Sequence, residues 1–565
     1  MDNKIVIYQV LPRLFGNDCR NNTPNGSIEE NGCGKLSAFT KKALNEIKAM
    51  GITHIWFTGL LEQATQTDYS AYGIRKDHPA IVKGKAGSPY AIKDYYDICP
   101  DLVDRVENRM PEFEQLVERT HQAGMKVIID FVPNHLAREY YSDAKPEGIT
   151  DPGADDNKQL AFAADNNFYY IPGQAFAPDF PLMAEGNVYH EFPAKATGND
   201  CFHAHPSRND WYETVKLNYG VDYLNNRQTH FCPVPDTWSK MADILLFWAS
   251  KQIDGFRCDM VEMVPVEFWA WAIPRVKTKY PEIIFIAEIY NPGQYRSYLN
   301  VGHFDYLYDK VGLYDTLRDV IAGRQPASRI THCWQSVDDI QAQMLNFLEN
   351  HDEQRIASRF FASDPLKARP ALVVSATLKR NPFMLYFGQE LGESGMDNEG
   401  FSGCDGRTSI FDYWSVSSIR NWRNRGNFDG KLLTAEQKDL RNYYVRILQL
   451  CNTQPAIRQG LFFDLMYANL DNPDFNSDKQ FAFMRCHEDE LLLIVSNFDS
   501  VDVAVRVFLP TAVFDYFGTN PDRINQANER LTNRTQPAML KRDCYYPLSI
   551  KANDAVIVEF HSSCF

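Results

Sequence analysis

The sequence predicts an α/β protein built as a (β/α)8 TIM barrel, with a loop-rich subdomain inserted after the third strand and a C-terminal antiparallel β-sandwich. Three observations predict it. Up to about Gly430, apolar runs of strand length alternate with amphipathic segments of helix length, the signature of βα units around a parallel sheet. One interval of roughly 100 residues interrupts that alternation and is far longer than an ordinary loop. Beyond Gly430 the chain turns to β-rich stretches separated by polar, turn-forming segments.

The strands follow in order. They are Ile5–Val10, Ile52–Phe57, Lys126–Phe131, Ile253–Cys258, Ile283–Ala287, Phe304–Leu307, Gln343–Leu348 and Phe383–Phe387, and eight is the number that closes such a barrel. Helical periodicity falls on Ala38–Met50, Pro111–Ala123, Thr237–Lys251 and Val266–Lys279. These elements assign 1–135 and 236–430 to the barrel. Residues 136–235, rich in Asp, Asn, Pro, Gly and aromatics, form the inserted subdomain over the rim. Residues 431–565 carry a helix near Ala435–Cys451 and strands at Leu491–Asn497, Val503–Phe508 and Ala555–Phe560, the expected sandwich.

Bulk properties narrow the function. Hydrophobic residues make up 44% and charged residues 23%, values of an ordinary globular protein. The net charge of −15, with no basic stretch, argues against a nucleic-acid partner, since nothing would offset phosphate repulsion. Neutral carbohydrate is indifferent to that charge, and the 13% aromatic content offers rings on which sugars can stack, although any single aromatic is better explained as core. Twelve cysteines without a CxxC pair exclude a zinc ribbon or redox motif. The start, Met1 to Tyr8, enters a strand at once, without a secretory leader pattern, and no apolar run reaches membrane-span length, so the expected place is the cytoplasm with reduced thiols and no membrane partner. Oligomeric state is not legible.

Four segments place acids or histidines where barrel strands should stop: Asp130-Phe131-Val132-Pro133-Asn134-His135, Gly255-Phe256-Arg257-Cys258-Asp259, Phe285-Ile286-Ala287-Glu288 and Asn350-His351-Asp352. Strand ends of a barrel converge on one rim, so distant residues can form one site. Arg257 and Asp259 are two apart and share a side of the strand, so the guanidinium can hold the carboxylate ionised and oriented as a nucleophile. Glu288 follows an apolar run whose desolvation suits a general acid. Asp352 supplies a third carboxylate to favour an oxocarbenium-like transition state. Taken singly, each acid reads as a helix cap and each histidine as a structural group; capping does not require matched pieces on four strands.

Together these segments resemble the signature regions of the α-amylase family, glycoside hydrolase family 13. Asp130, Val132, Asn134 and His135 match D-x-V-x-N-H, and the second segment matches G-F-R-x-D. Ile7-Tyr8-Gln9-Val10-Leu11-Pro12-Arg13 is similar to the family's opening strand, and Tyr386-Phe387-Gly388-Gln389-Glu390 to the end of its eighth. The resemblance implies a retaining hydrolase of α-linked glucose oligomers or polymers, with Asp259 as nucleophile, Glu288 as acid/base and Asp352 as stabiliser. It assigns Arg257, His135 and His351 to the sugar on the non-reducing side, and Tyr90 to stacking beneath it, with Tyr95 and Tyr96 as nearby alternatives. Val215-Lys216-Leu217-Asn218 resembles the M-P-K-L-N signature of neopullulanases and cyclomaltodextrinases, which accept α-1,4 and sometimes α-1,6 links.

The departures also carry information. Gly87 stands where exo-acting α-glucosidases have an Asp that grips a terminal glucose, which counts against that action. Glu262-Met263 replaces the Lys-His pair that follows the nucleophile in many α-amylases, removing an acceptor-side contact and a calcium ligand. Asn134 sits at the family's calcium-binding position, but one match does not make a metal site; no cofactor is expected to be required, a structural calcium stays open though no full ligand set supports it, and no metal residue is assigned. The His203-Ala204-His205 spacing reads as loop histidines, Trp211-Tyr212 as either a sugar platform or subdomain core, and Cys258 as packing. The rival readings are a transglycosylase of the same chemistry, a non-catalytic binding or assembly subunit, and a metal-dependent barrel hydrolase.

Overall fold

The computed structural model describes residues 4–561; of the first strand-forming segment, Met1–Asn3 lie outside the described residues. Eight parallel strands close into a barrel: β1 Val6–Val10, β2 His54–Phe57, β3 Lys126–Phe131, β4 Gly255–Cys258, β5 Ile284–Ala287, β6 Tyr306–Tyr308, β7 Met344–Phe347 and β8 Phe383–Tyr386. Each pairs with its sequence neighbours, and β1 closes the ring against β8 through Val6 opposite Phe383. Every predicted strand is present, displaced by at most two residues at either end.

Both faces of these strands are covered, which is why they read as continuous apolar runs rather than alternating ones. Ile7, Trp56, Ile128, Ile286, Tyr308, Leu345 and Met384 form one buried cluster inside the barrel. Residues of opposite parity, such as Val6, Ile55, Ile129, Phe256 and Phe285, pack outward with the helices. Cys258 belongs to that outer layer, as strand alternation from Arg257 requires.

The long interval after β3 folds over the strand ends with little regular structure. Its first residues, His135–Ala137, pair antiparallel with Thr214–Lys216, which pins the far end of the insertion beside the end of β3. A small apolar cluster of Ile81, Phe176, Phe180, Tyr189, Ala194, Ala204 and Tyr212 holds the rest.

At the C-terminal end, an antiparallel six-stranded sheet packs against the barrel, and a separate two-stranded sheet packs beside that sheet. The helix Arg369–Thr377 is buried on all sides because it lies between β7 and β8 in sequence yet also faces this sheet, with Ser496 Oγ donating to Pro370 O at 3.1 Å. Arg485 seals the junction. Fully buried, it donates to the carbonyls of Thr377 (2.8 Å), Leu378 (2.9 Å), Leu461 (3.2 Å), Ile457 (3.2 Å) and Gly460 (2.9 Å). Two of these lie at the carbonyl end of the buried helix, where a cation also opposes the helix dipole.

Arg485→Leu should therefore strand several buried carbonyls and destabilise the protein by about 3 kcal/mol. Urea unfolding would show an earlier midpoint; an unchanged midpoint would mean the junction does not depend on this side chain.

Candidate active site

Strand register sets the site. Arg257 on β4 lies directly opposite Asp130 on β3 and Ile286 on β5, and Cys258 opposite Ala287, so Asp259 and Glu288 leave adjacent strands side by side. Their backbone N–H groups still extend the ladder, Asp259 to Phe131 O at 2.9 Å and Glu288 to Cys258 O at 3.0 Å. Arg257, 1% exposed, reaches Asp259 Oδ1 with Nη1 at 2.7 Å and Glu288 Oε2 with Nη2 at 2.8 Å. Asp130 lies 3.7 Å away, and Nε donates to the Tyr308 hydroxyl at 3.2 Å. The rings of Trp56, Tyr90 and Tyr308 surround the guanidinium.

The electrostatics follow from burial. Burial pushes the Glu288 carboxyl up to about 7; Arg257 opposes this and the charge of Asp259 adds to it. Two donors limit the rise, the Tyr290 hydroxyl to Oε1 at 2.6 Å and the Met260 N–H to Oε2 at 2.9 Å. Burial also moves Asp259 above the ordinary Asp range, with Arg257 pulling against it. The sequence-based expectation that Arg257 holds this carboxylate ionised counts one of two opposing effects: the guanidinium offsets a desolvation that outweighs it. Asp352 stands at the mouth with its side chain 44% exposed; partial burial and then the Glu288 charge raise its carboxyl.

Both histidines are buried and held neutral. Burial and the Arg257 charge keep His351 well below the usual range. Its Nδ1 meets Gln9 Nε2 at 2.8 Å and its Nε2 meets the Tyr90 hydroxyl at 2.6 Å and Asp352 Oδ2 at 3.2 Å. With Gln9 donating, Nε2 carries the proton, and Tyr90 is free to donate onward to Asp130 at 3.5 Å. Burial, followed by the charges of Lys216 and Lys83, lowers His135 to about 3.

A cavity of about 320 Å³ is lined by Tyr90, His135, Asp259, Glu288 and Asp352 together with Trp211. Arg257 and His351 lie directly behind this lining and hold it. All seven residues singled out from the sequence therefore meet in one place. Of the tyrosines near Tyr90, Tyr95 instead donates to Val132 O (2.6 Å) and His135 O (2.9 Å), and Tyr96 packs on Phe247. Trp211 and Tyr212 divide their two readings, Trp211 lining the cavity against the His135 ring and Tyr212 entering the subdomain core.

Sequence reasoning missed Tyr290, Tyr308, Gln9, Lys83 and Glu213. Tyr290 was within reach, since it is two residues after Glu288, the spacing already used for Arg257 and Asp259. Lys83 and Glu213 form a buried ion pair of 3.0 Å on the cavity wall, from loops 130 positions apart, and no local pattern announces it.

Among the described residues no three His, Cys, Asp or Glu side chains gather to hold a metal. His203 turns to Cys201 Sγ and His205 to Ala177 O, so the His-x-His spacing does not converge. Asn134 does not fit a calcium ligand: its Oδ1 already accepts from Lys216 Nζ at 2.7 Å. No described helix is long and apolar enough to cross a membrane, and the eleven described cysteines are unpaired.

A family model described as "Alpha amylase, catalytic domain" matches residues 9–428. Alpha-amylase MalA of Haloarcula japonica is 24% identical over 505 residues, covering 88% of this chain and 56% of that protein. Neopullulanase 2 of Thermoactinomyces vulgaris is 22% identical over 511 residues, covering 87% of this chain and 69% of its own length. The chain thus spans little more than half of the archaeal relative. The crystal structure of an alpha-amylase from Geobacillus thermoleovorans complexed with acarbose superposes with a TM-score of 0.63 at 18% identity, over 99% of both chains, which shows a common fold.

Gly87 has a structural reason. Its φ is +74°, and a Cβ built there would lie 1.7 Å from Ala64 O. Gly87→Asp should cost about 3 kcal/mol and lower the unfolding midpoint without creating a grip on a terminal sugar. A stable, unperturbed Asp variant would show that the turn can move.

Proposed function

This chain belongs to the α-amylase family of glycoside hydrolases, and from that premise we propose that it cleaves α-linked glucose oligomers or polymers with retention, through a covalent β-glycosyl-enzyme. The observation that carries the reading is the double grip of Arg257 on Asp259 and Glu288. Two carboxylates on neighbouring nitrogens of one guanidinium fit the short spacing of a retaining pair. That arrangement supports retention over inversion, in which the two carboxyl groups stand roughly 6.5–9.5 Å apart to admit a water.

In this reading Asp259, oriented by Arg257, attacks the anomeric carbon. Glu288 enters protonated, gives its proton to the leaving glycosidic oxygen, and then takes one from the water that releases the sugar. Asp352, at the mouth, binds the sugar hydroxyls and favours the developing positive charge. Neutral His135 hydrogen-bonds the same sugar and Tyr90 stacks beneath it, while His351, behind the lining, holds Tyr90 and Asp352 in place rather than reaching the sugar as the resemblance implied. The match to Neopullulanase 2 and the Val215–Asn218 segment support α-1,4 bonds as substrate, with α-1,6 bonds a further one.

Chromatography of products from maltoheptaose tests this. Short maltooligosaccharides, lost in Asp259→Asn with the fold retained, are expected, the variant losing roughly ten-thousand-fold in kcat. Products longer than the substrate would make the enzyme a transferase instead. Full turnover by the variant would remove Asp259 from its role.

The pH profile provides a second test. Because Glu288 must enter protonated, kcat/KM should fall as pH rises through about 7. Tyr290→Phe removes a donor that favours the carboxylate, so it should move that limb to higher pH. A limb unmoved by the substitution would assign it to another group.

A further inference from the structure

Lys216 occupies an unusual position. It lies in the strand that pins the inserted subdomain to the end of β3, with Thr214, Val215 and Lys216 opposite Ala137, Leu136 and His135. Its side chain is 1% exposed, and the ammonium meets Asn134 Oδ1 at 2.7 Å and Asp200 Oδ1 at 2.6 Å. The Tyr223 ring lies 5.3 Å from Nζ. Asp200 belongs to the inserted subdomain and Asn134 to the barrel rim, so one cation ties together two oxygens from the two sides of the site.

We infer that the Lys216 ammonium is an internal cation that takes the place a divalent ion would hold at Asn134, and that through Asn134 it positions His135. A lysine ammonium offers only donors, so the Asn134 atom facing it must be the carbonyl oxygen. The Asn134 amide nitrogen is thereby fixed as the donor on the other side, where it reaches Gly198 O at 2.8 Å and His135 Nδ1 at 3.1 Å. His135 Nδ1 is then an acceptor, and the proton sits on Nε2. Lys216 acts on the cavity without touching it, as a positioning residue.

A bound calcium would satisfy the same oxygens but would want six to eight oxygen ligands. Among the described residues, Asn134 and Asp200 supply the oxygens around this ammonium, and the Tyr223 ring beside it supplies a π-face, which suits an ammonium. The position four residues after Asp259, where many relatives supply a further calcium ligand, is Met263. The arrangement is therefore a lysine site rather than a vacated metal site.

The test begins with the unaltered full-length chain and reads stability, so it is independent of the proposed activity. Its thermal midpoint should not change with millimolar EDTA or millimolar calcium chloride; a fall with chelator or a rise with calcium would overturn the inference. Nitrogen-15 shifts of the His135 ring should show Nδ1 unprotonated and Nε2–H; the opposite tautomer would overturn the positioning role. Lys216→Met keeps the apolar stem and removes the charge. It should lower the thermal midpoint, mix the His135 tautomers and reduce kcat/KM by roughly tenfold or more. Retention of the single tautomer in a folded Lys216→Met protein would also defeat it.

Discussion

The active-site rim depends on one buried cation among four carboxyl groups. Arg257 faces Asp130, Asp259 and Glu288, and Asp352 stands at the mouth of the same cavity. A single positive charge cannot balance the three carboxylates packed on it in a space withdrawn from water, so the cluster lowers its energy by keeping protons. Glu288 is raised to about 7 and Asp130 to about 6, in both cases by burial first. These protons belong to the cluster as much as to either residue. The proton an acid catalyst needs is thus a consequence of burial first and then of the charges gathered around Arg257.

The neutral histidines belong to the same balance. A second cation beside the carboxyl groups would favour their ionised forms and release the proton from Glu288. Burial prevents it at both places: His351 lies under Arg257's own charge, and His135 beside Lys216 and Lys83. Each ring then has one donor and one acceptor nitrogen, and each is set by an amide, Gln9 for His351 and Asn134 for His135. The barrel thereby presents oriented, uncharged hydrogen-bonding groups to a polyhydroxylated ligand, while the Arg257 charge stays with the acids and that of Lys83 with Glu213.

How far the sequence could be read divides along this line. Strands β1 to β8 were legible because burial on both faces makes them compact apolar runs, and six of the seven site residues because each lies at or just after the end of a strand; Tyr90, in the turn before Ile92–Ile98, was legible only through the family resemblance. Arg257 with Asp259 was legible from a two-residue spacing. The Lys83–Glu213 pair and the Lys216–Asn134–Asp200 bridge were not, because they join the inserted subdomain to the barrel across loops with no period. The Gly87 turn was visible only as a missing Asp; the positive φ and the crowding of Ala64 O that require glycine appear only in three dimensions. The direction of the Asp259 shift also escaped, since a neighbouring arginine is visible in sequence and the depth of burial is not.

The same electrostatics allow one residue to serve in both halves of the proposed double displacement. Glu288 is raised by burial and, among charges, by Asp259. While Asp259 is a free carboxylate, that repulsion helps Glu288 hold the proton it must give to the leaving group. Once Asp259 is esterified to the sugar its charge is gone, the repulsion ends, and Arg257 is left to act on Glu288 alone. The carboxyl then ionises more readily, which is the form needed to accept a proton from the incoming water. Hydrolysis restores the charge on Asp259 and with it the proton on Glu288. The close grip of Arg257 on both acids therefore fixes their geometry and also couples their charges, so that each chemical step prepares Glu288 for the next.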